Sequence, residues 1–142
     1  MASAEFEFRA LLDSRVEACR TKDIDRLMSL YSPEIVYFDV VPPLRFIGFE
    51  AVRSNFVRWF NEYKGPIGLE TRDLKIAINA DVAFAHMLHQ DKGNTNLSGP
   101  QEFWLRSTVC CQRSNSEWLI THEHISLPVD FRSGTVLMDL AP

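Results

Sequence analysis

Two histidines flank a glutamate at residues 122–124, inside a segment whose sequence is typical of a β-strand. Because side chains alternate along a strand, His122 and His124 share one face and Glu123 lies on the other. Two imidazoles on one strand face have the spacing of zinc ligands. The candidates for a third ligand are His86, His89 and Asp91. No other metal-ligand motif is present, so we expect no bound metal.

Asp39 is a second candidate for chemistry, since it directly follows the apolar segment "IVYF". In an apolar pocket its carboxylate would have a raised pKa and would suit a general base. At a solvated strand end it would only cap a turn, and its position alone leaves both interpretations open. The sequence contains no nucleophile elbow, phosphate-binding loop or dinucleotide fingerprint, so we expect no cofactor.

Arg15 interrupts the apolar stripe of the first predicted helix. It is either a surface arginine that extends its charge to water, or a cation at a pocket floor. In the second case it would pair with Asp39, Glu123 or a ligand carboxylate. The two faces of residues 118–127 are about equally apolar, so hydrophobicity does not decide whether Glu123 points inward.

The order of elements predicts one α+β domain over residues 1–142, with helices first and antiparallel strands after them. Long strands joined by short turns curl, and three helices over a curled sheet leave a conical space suited to a ligand. The predicted helices cover 4–21, 24–31 and 49–63. The predicted strands cover 34–38, 74–78, 82–91, 101–113 and 117–127, and a polar loop is predicted over 92–100.

Composition limits the classes of partner. The chain has 15 basic and 19 acidic residues, a net charge of −4 and no basic run, which argues against nucleic acid. No segment has the roughly 20 apolar residues of a membrane span, and the first residues lack the pattern of a signal peptide. Three cysteines without a C-x-x-C spacing favour free thiols and a cytoplasmic location.

Several segments resemble the NTF2-like superfamily, in particular its SnoaL-like and ketosteroid-isomerase-like members. They are "KDIDRLMSLYSPEIVYFD" (22–39), Gly48 before the third helix, and "EWLITHEHISLPVDFRSGTVLMDLAP" (117–142). The resemblance covers nearly the whole chain. It implies a cone-shaped, curved antiparallel sheet with three N-terminal helices, the cystatin-like α+β barrel.

The resemblance also implies roles for particular positions. In ketosteroid isomerase an aspartate is the general base and two proton donors stabilise the oxyanion. The position of the base is occupied by Asp39. The positions of the oxyanion tyrosine and of the protonated aspartate fall at Arg15 and near Thr108, so that pair of donors is not reproduced. We therefore do not expect steroid isomerisation itself.

By the same resemblance Glu123 faces the cavity, as a second catalytic candidate, while His122 and His124 face outward. A buried acid needs a partner or a proton. The possible partners are His89, Arg15 and Arg106. The residues expected to contact a ligand are Arg15, Phe56, Trp59, Phe60, Met87, His89, Phe103 and Ile125. Phe46, Phe84 and Trp104 are further candidates for an aromatic wall, which suits a flat, apolar ligand.

Two functions remain open. The first is a cofactor-free isomerase, cyclase or dehydratase that acts by acid–base catalysis on an apolar carbonyl compound. The second is a non-catalytic ligand-binding or dimerisation module, because this fold hosts many activities. In either case we expect a small apolar ligand and a homodimer formed through the sheet face.

Overall fold

Three helices precede most of the sheet in the computed structural model, which describes residues 3–142. They are α1 (Ala4–Arg20), α2 (Ile24–Met28) and α3 (Phe49–Asn61). Ser3 and Asp23 cap the first two, since their side chains accept hydrogen bonds from the backbone NH groups of Phe6 and Arg26. The second helix is shorter than predicted: it ends at Met28, and Tyr31 opens the first strand instead.

A six-stranded curved sheet forms the rest of the core. Its strands are β1 (Tyr31–Phe38), β2 (Phe46–Ile47), β3 (Gly68–Asn79), β4 (Val82–Thr95), β5 (Gly99–Ser114) and β6 (Glu117–Ser126). The order is β2-β1-β6-β5-β4-β3, and every pair is antiparallel except β1 with β6. A small hairpin, β7 (Val129–Asp130) and β8 (Thr135–Val136), follows. The α+β prediction, with three helices and a large curved antiparallel sheet, is confirmed.

The prediction of a loop over residues 92–100 is wrong. Strand β4 continues to Thr95 and β5 begins at Gly99, so only a tight turn separates them. Gly93 allows this extension to lie against the segment that follows α3, because a Cβ there would be 2.7 Å from the ring of Tyr63. Tyr63 also forms an isolated β-bridge with Thr95.

A β-bulge at Thr121 changes the direction of the side chains along β6. Cys110 pairs with His122 but Cys111 pairs with Ile120, so Thr121 is an extra residue without a partner. Trp118 and Ile120 are buried before the bulge, and Glu123 is buried after it. Neither face of residues 118–127 therefore points inward along its whole length.

The outer face of the sheet points away from the helices. It carries His124, which is exposed, and His122, which is half-buried. The Nδ1 atom of His122 is 2.8 Å from the backbone oxygen of Val36. Phe84 and Trp104 are also on this face, with Phe84 48% exposed and the Arg72 guanidinium over the Trp104 ring. The expectation that these two aromatic rings line a pocket is therefore wrong. No helix within residues 3–142 has both the length and the apolar character needed to cross a membrane.

Candidate active site

A cavity of about 290 Å³ lies between α3 and the inner face of β4, β5 and β6. We call it the main cavity. Aromatic and aliphatic side chains form its walls: Phe56, Trp59, Phe103, Leu105 and Ile125. The segments that follow β1 and β6 border it, through Val40 and Val41 on one side and Leu127 and Met138 on the other. An apolar enclosure with a few polar groups is the usual form of a small-molecule site.

The floor of the main cavity is a buried ion pair between α1 and β6. Arg15 Nε donates to Glu123 Oε1 at 3.0 Å, and Arg15 Nη2 donates to the other carboxylate oxygen. The hydroxyl of Tyr31 also donates to Oε1, at 2.6 Å. Burial is the largest effect and lowers the pKa of Arg15, but the attraction of Glu123, together with smaller contributions from Tyr31 and Cys19, outweighs it, so the pKa lies above its ordinary value and the guanidinium stays charged.

Glu123 is fully buried and does not line the main cavity. Two donors occupy its carboxylate, and Arg15 lies between it and the ligand space. The structure therefore places Glu123 under the site as the group that holds Arg15. Its predicted partner Arg15 is found, whereas the predicted His89 and Arg106 make other contacts.

Arg15 itself keeps one nitrogen free. Within residues 3–142, no group forms a hydrogen bond with its buried Nη1 atom, although the side chain lines the main cavity. A buried donor without an acceptor costs about 1–3 kcal/mol, so an acceptor on a ligand would be favourable here. The floor thus offers a fixed, charged donor.

Asp39 lies at the wall of the main cavity, one residue beyond β1. Its Oδ2 accepts a hydrogen bond from Asn55 Nδ2 at 2.7 Å, and Arg58 Nη2 is 3.9 Å from the same oxygen. Arg58 in turn donates to the Asn55 side-chain oxygen, at 3.0 Å from Nη2. Asn55 and Arg58 are one turn apart on α3, and neither was predicted as a site residue, since a polar pair on a helix gives no signal of its own. They fix the Asp39 carboxylate while leaving it on the cavity.

Asp91 is a second acid on the main cavity and is 5% exposed. From the sequence it was predicted only as a possible metal ligand. Burial raises the pKa of Asp91, Arg15 lowers it and the charge of Asp39 raises it by less, so that the pKa is about 7. No hydrogen-bond donor within the described chain helps to keep this carboxyl group ionised. At neutral pH it is therefore present in both protonation states, which suits a proton donor or acceptor.

His89 is buried beside this acid on β4 and is neutral. Burial and, to a smaller extent, the positive charge of Arg15 lower its pKa to about 3. Its Nδ1 lies 3.0 Å from the hydroxyl of Thr71, while its Nε2 has no partner among the described residues. His89 lines the main cavity and also a smaller one of about 210 Å³ beside α1.

The predicted ligand contacts divide into two groups. Six of the eight line the main cavity: Arg15, Phe56, Trp59, His89, Phe103 and Ile125. Met87 lines only the smaller cavity, and Phe60 is a core residue behind Trp59, with ring centroids 5.6 Å apart. Phe46 lies on β2 and lines neither cavity. The helical spacing of Phe56, Trp59 and Phe60 could not separate cavity rings from core rings.

Metal chemistry has no support in the arrangement of side chains. Over residues 3–142, no three histidine, cysteine, aspartate or glutamate side chains come together as ligands would. The rings of His122 and His124 are 6.4 Å apart, and each packs against Phe38 on the outer face. Whatever the site does, these two histidines are outside it.

Comparison with known proteins decides the family. The sequence profile of the SnoaL-like domain matches residues 8–130. The chain belongs to the SnoaL-like domain family. This confirms the predicted NTF2-like, SnoaL-like resemblance. No curated protein matches the chain.

Solved structures show how far this SnoaL-like domain resembles its relatives. An NTF2-like protein of unknown function from Pseudomonas putida KT2440 is 31% identical, with 98% of this chain and 96% of that chain covered and a TM-score of 0.89. A ketosteroid isomerase-like protein from Erwinia carotovora atroseptica is 14% identical, with coverage of 89% and 97% and a TM-score of 0.75. An NTF2-like superfamily protein from Salmonella enterica is 17% identical, with coverage of 89% and 92% and a TM-score of 0.77. The last two likenesses show the shared fold alone.

Proposed function

We propose that this SnoaL-like domain is a cofactor-free isomerase or lyase that acts by acid–base catalysis on a small, apolar carbonyl compound in the main cavity. One observation carries the proposal. Two acids, Asp39 and Asp91, face one apolar cavity whose floor is formed by Arg15, and the buried Nη1 of this arginine is unpaired among the described residues. A buried acid with a raised pKa, such as Asp91, suits the proton donor, which leaves Asp39 as the base.

In this mechanism Asp39 removes a proton from the carbon next to the substrate carbonyl. The C–H bond breaks, an O–H bond forms on Asp39, and the electron pair moves onto the carbonyl oxygen as an enolate. Arg15 Nη1 and the protonated form of Asp91 donate hydrogen bonds to that oxygen. Such a donor is worth about 10²–10³ in rate when it is fixed before the reaction.

The second half of the reaction decides the product. In an isomerisation, protonated Asp39 returns its proton to another carbon of the enolate. In a dehydration, Asp91 gives its proton to a departing hydroxyl group, which leaves as water while the C–O bond breaks. In a cyclisation, the enolate carbon forms the new C–C bond by attacking a second carbonyl carbon of the same molecule, whose C=O π bond breaks while its oxygen takes the proton of Asp91. Asp39 and Asp91 supply the proton transfers that each route needs.

Glu123 has a positioning role in this proposal. Its carboxylate and the Tyr31 hydroxyl hold two nitrogens of the Arg15 guanidinium, so the third nitrogen has a fixed direction. The ion pair also neutralises the arginine charge inside the protein, which lowers the cost of burying it. Arg15 occupies the position where the ketosteroid-isomerase-like pattern has a tyrosine, and it would replace that donor.

The test is exchange of the α-proton in D₂O, followed by proton NMR, for a panel of aromatic and steroid-like ketones. Exchange is visible on the ketone itself, so the product need not be identified. We expect wild-type protein to catalyse exchange and Asp39→Asn to lose about 10²–10⁴ of the rate while keeping its circular dichroism spectrum. Asp25→Asn, on the exposed side of α2, is the control and should exchange at the wild-type rate.

Equal exchange rates for Asp39→Asn and wild type would contradict the assignment of the base. Binding of the panel without exchange in wild type would instead support the non-catalytic ligand-binding module. Two differences from the ketosteroid-isomerase-like pattern favour that second function. Arg15 is found where the pattern has a tyrosine, and Thr108 is near the position of the protonated aspartate, so neither expected oxyanion donor is present.

A homodimer through the outer sheet face is the assembly that we propose for either function. Phe84 and Val82 are about half exposed there, on the face that also carries Trp104 and the two outer histidines. Exposed aromatic and apolar groups on one face are typical of an interface. We expect a dimer by sedimentation velocity at micromolar concentration and a monomer for Phe84→Lys. Leu97→Lys, in the exposed turn between β4 and β5, should stay dimeric, and a wild-type monomer would rule out this assembly.

A further inference from the structure

The smaller cavity lies on the other side of Arg15 and His89, between α1 and the inner face of β3, β4 and β5. We call it the side cavity. Its apolar lining is aliphatic: Leu12, Val16, Leu74, Met87 and Val109. It reaches the surface beside Asp13 and Thr71, both of which are exposed residues. The proposed reaction does not use this space.

The two cavities differ in the chemistry of their walls. The main cavity has the rings of Phe56, Trp59 and Phe103, which suit a flat or aromatic group. The side cavity has no aromatic ring among its lining residues within the described chain, and flexible methionine and leucine side chains suit a narrow alkyl group. A ligand that filled both would therefore have an aromatic or polycyclic part and an alkyl part.

Two unpaired nitrogens mark the boundary between the cavities. Arg15 and His89 line both, and within residues 3–142 neither Arg15 Nη1 nor His89 Nε2 has a hydrogen-bond partner. The arginine charge acts on the imidazole, so the two groups are near neighbours. Buried polar atoms of this kind are normally satisfied. In the tautomer in which His89 Nδ1 accepts from the Thr71 hydroxyl, Nε2 is a donor, and a ligand oxygen at the boundary would satisfy both nitrogens.

We infer that the side cavity binds the alkyl tail of an elongated substrate, an aryl or polycyclic alkyl ketone, whose oxygen lies between Arg15 Nη1 and His89 Nε2. The ring part of the ligand then occupies the main cavity, on the side of Asp39 and Asp91, and the first carbon of the tail, which carries the α-protons, lies at the boundary. This inference rests on the proposed function for the identity of the reacting carbonyl group. The tail site itself depends only on binding.

Calorimetry with a series of phenyl alkyl ketones, from acetophenone to octanophenone, tests the tail site. Each methylene group that enters an apolar site is worth about 0.8 kcal/mol, or about fourfold in affinity. For wild-type protein we expect Kd to fall by about fourfold per methylene until the side cavity is full, and then to stay constant.

Leu74→Trp should fill the side cavity from β3, so that Kd no longer changes with chain length while acetophenone binds as before. Val16→Trp fills it from α1 and keeps the test valid if the first variant does not fold. Leu97→Trp is the control, since Leu97 is 94% exposed in a turn and its variant should retain the full dependence on chain length.

The outcomes separate this inference from the proposed function. Unchanged dependence on chain length in both filled variants, or no dependence in wild type, would overturn the tail site even if Asp39 still catalysed exchange. Dependence that disappears in the filled variants supports the tail site even if no ketone exchanges its α-proton. If no ketone in the series binds, the tail site is wrong, whereas the proposed function is decided by exchange on the wider ketone panel.

Discussion

The inner face of the sheet buries two carboxylic acids, Glu123 on β6 and Asp91 on β4, in opposite environments. Glu123 is 0% exposed and has an arginine and a tyrosine as hydrogen-bond partners. Asp91 is 5% exposed, and its surroundings raise its pKa to about 7. Only β5 separates the two strands in the sheet. The same residue class and nearly the same burial therefore produce a structural acid at the floor and a reactive one at the wall.

The difference lies in what each acid faces. Glu123 lies beneath Arg15, where a full set of donors compensates the cost of burying its charge. Asp91 faces the main cavity, where a donor would have to come from a ligand. A poorly compensated acid reduces stability, and such costs are found at functional sites more often than in cores. Predictions that change one acid at a time therefore test whether the two regions have separate roles.

The largest effect on the free energy of unfolding should come from disrupting the Arg15–Glu123 ion pair. Glu123→Gln removes the charge that pairs with Arg15 and leaves a buried guanidinium without a counter-ion, which should cost about 3–5 kcal/mol in the free energy of unfolding. That is a large part of the roughly 5–15 kcal/mol typical of a domain. Urea denaturation at pH 7 measures it. Glu117→Gln, exposed at the start of the same strand, should show no measurable change.

A double variant sharpens this result. In Arg15→Met with Glu123→Leu both charges are replaced by apolar groups, so most of the lost stability should return, because the cost arises from the unpaired charge. Ligand binding at the floor should not return, since Nη1 is gone. A single Glu123→Gln variant that is as stable as wild type would show that the ion pair does not hold the floor together.

The sequence predicted the helices and most strands because their signals are local. Apolar residues at helical spacing predicted α1 and α3, alternation predicted the strand over residues 74–78, and turn sequences separated the later strands. The direction of Glu123 was not predictable from hydrophobicity, because the bulge at Thr121 exchanges the two faces within one strand. A bulge depends on pairing with β5, and the threonine itself gives no local signal of it. The resemblance placed Glu123 inward, and it named Arg15 among the possible partners.

Asp91 shows why part of the site was missed. It is two residues from His89, which was predicted to contact a ligand, so the two share a face of β4. The polar residues from Lys92 onward predicted a loop, which made Asp91 a strand end in water. In the structure β4 continues to Thr95 and Tyr63 packs over Gly93, so the acid is enclosed. Its burial depends on contacts between distant segments, which the local sequence does not encode.

Replacing Asp91 at the cavity wall should have a smaller effect on the free energy of unfolding, and of opposite sign. The pKa of Asp91 is about 7 in the folded protein against 3.8 in the unfolded chain, so the folded state binds the extra proton between these values. The free energy of unfolding therefore falls as pH rises through this range and stays low above it. A shift of about three units corresponds to ~4 kcal/mol as an upper limit. Asp91→Asn removes this decrease in stability at high pH, because asparagine does not ionise.

We expect Asp91→Asn to be as stable as wild type near pH 4 and more stable by about 1–4 kcal/mol at pH 8, measured by urea denaturation across that range. Asp25→Asn, which is exposed on α2, should give a difference that does not change with pH. A variant that is less stable than wild type at pH 8 would show that Asp91 has a stabilising partner in the folded protein. The wall would then resemble the floor, and the two acids would no longer have separate roles.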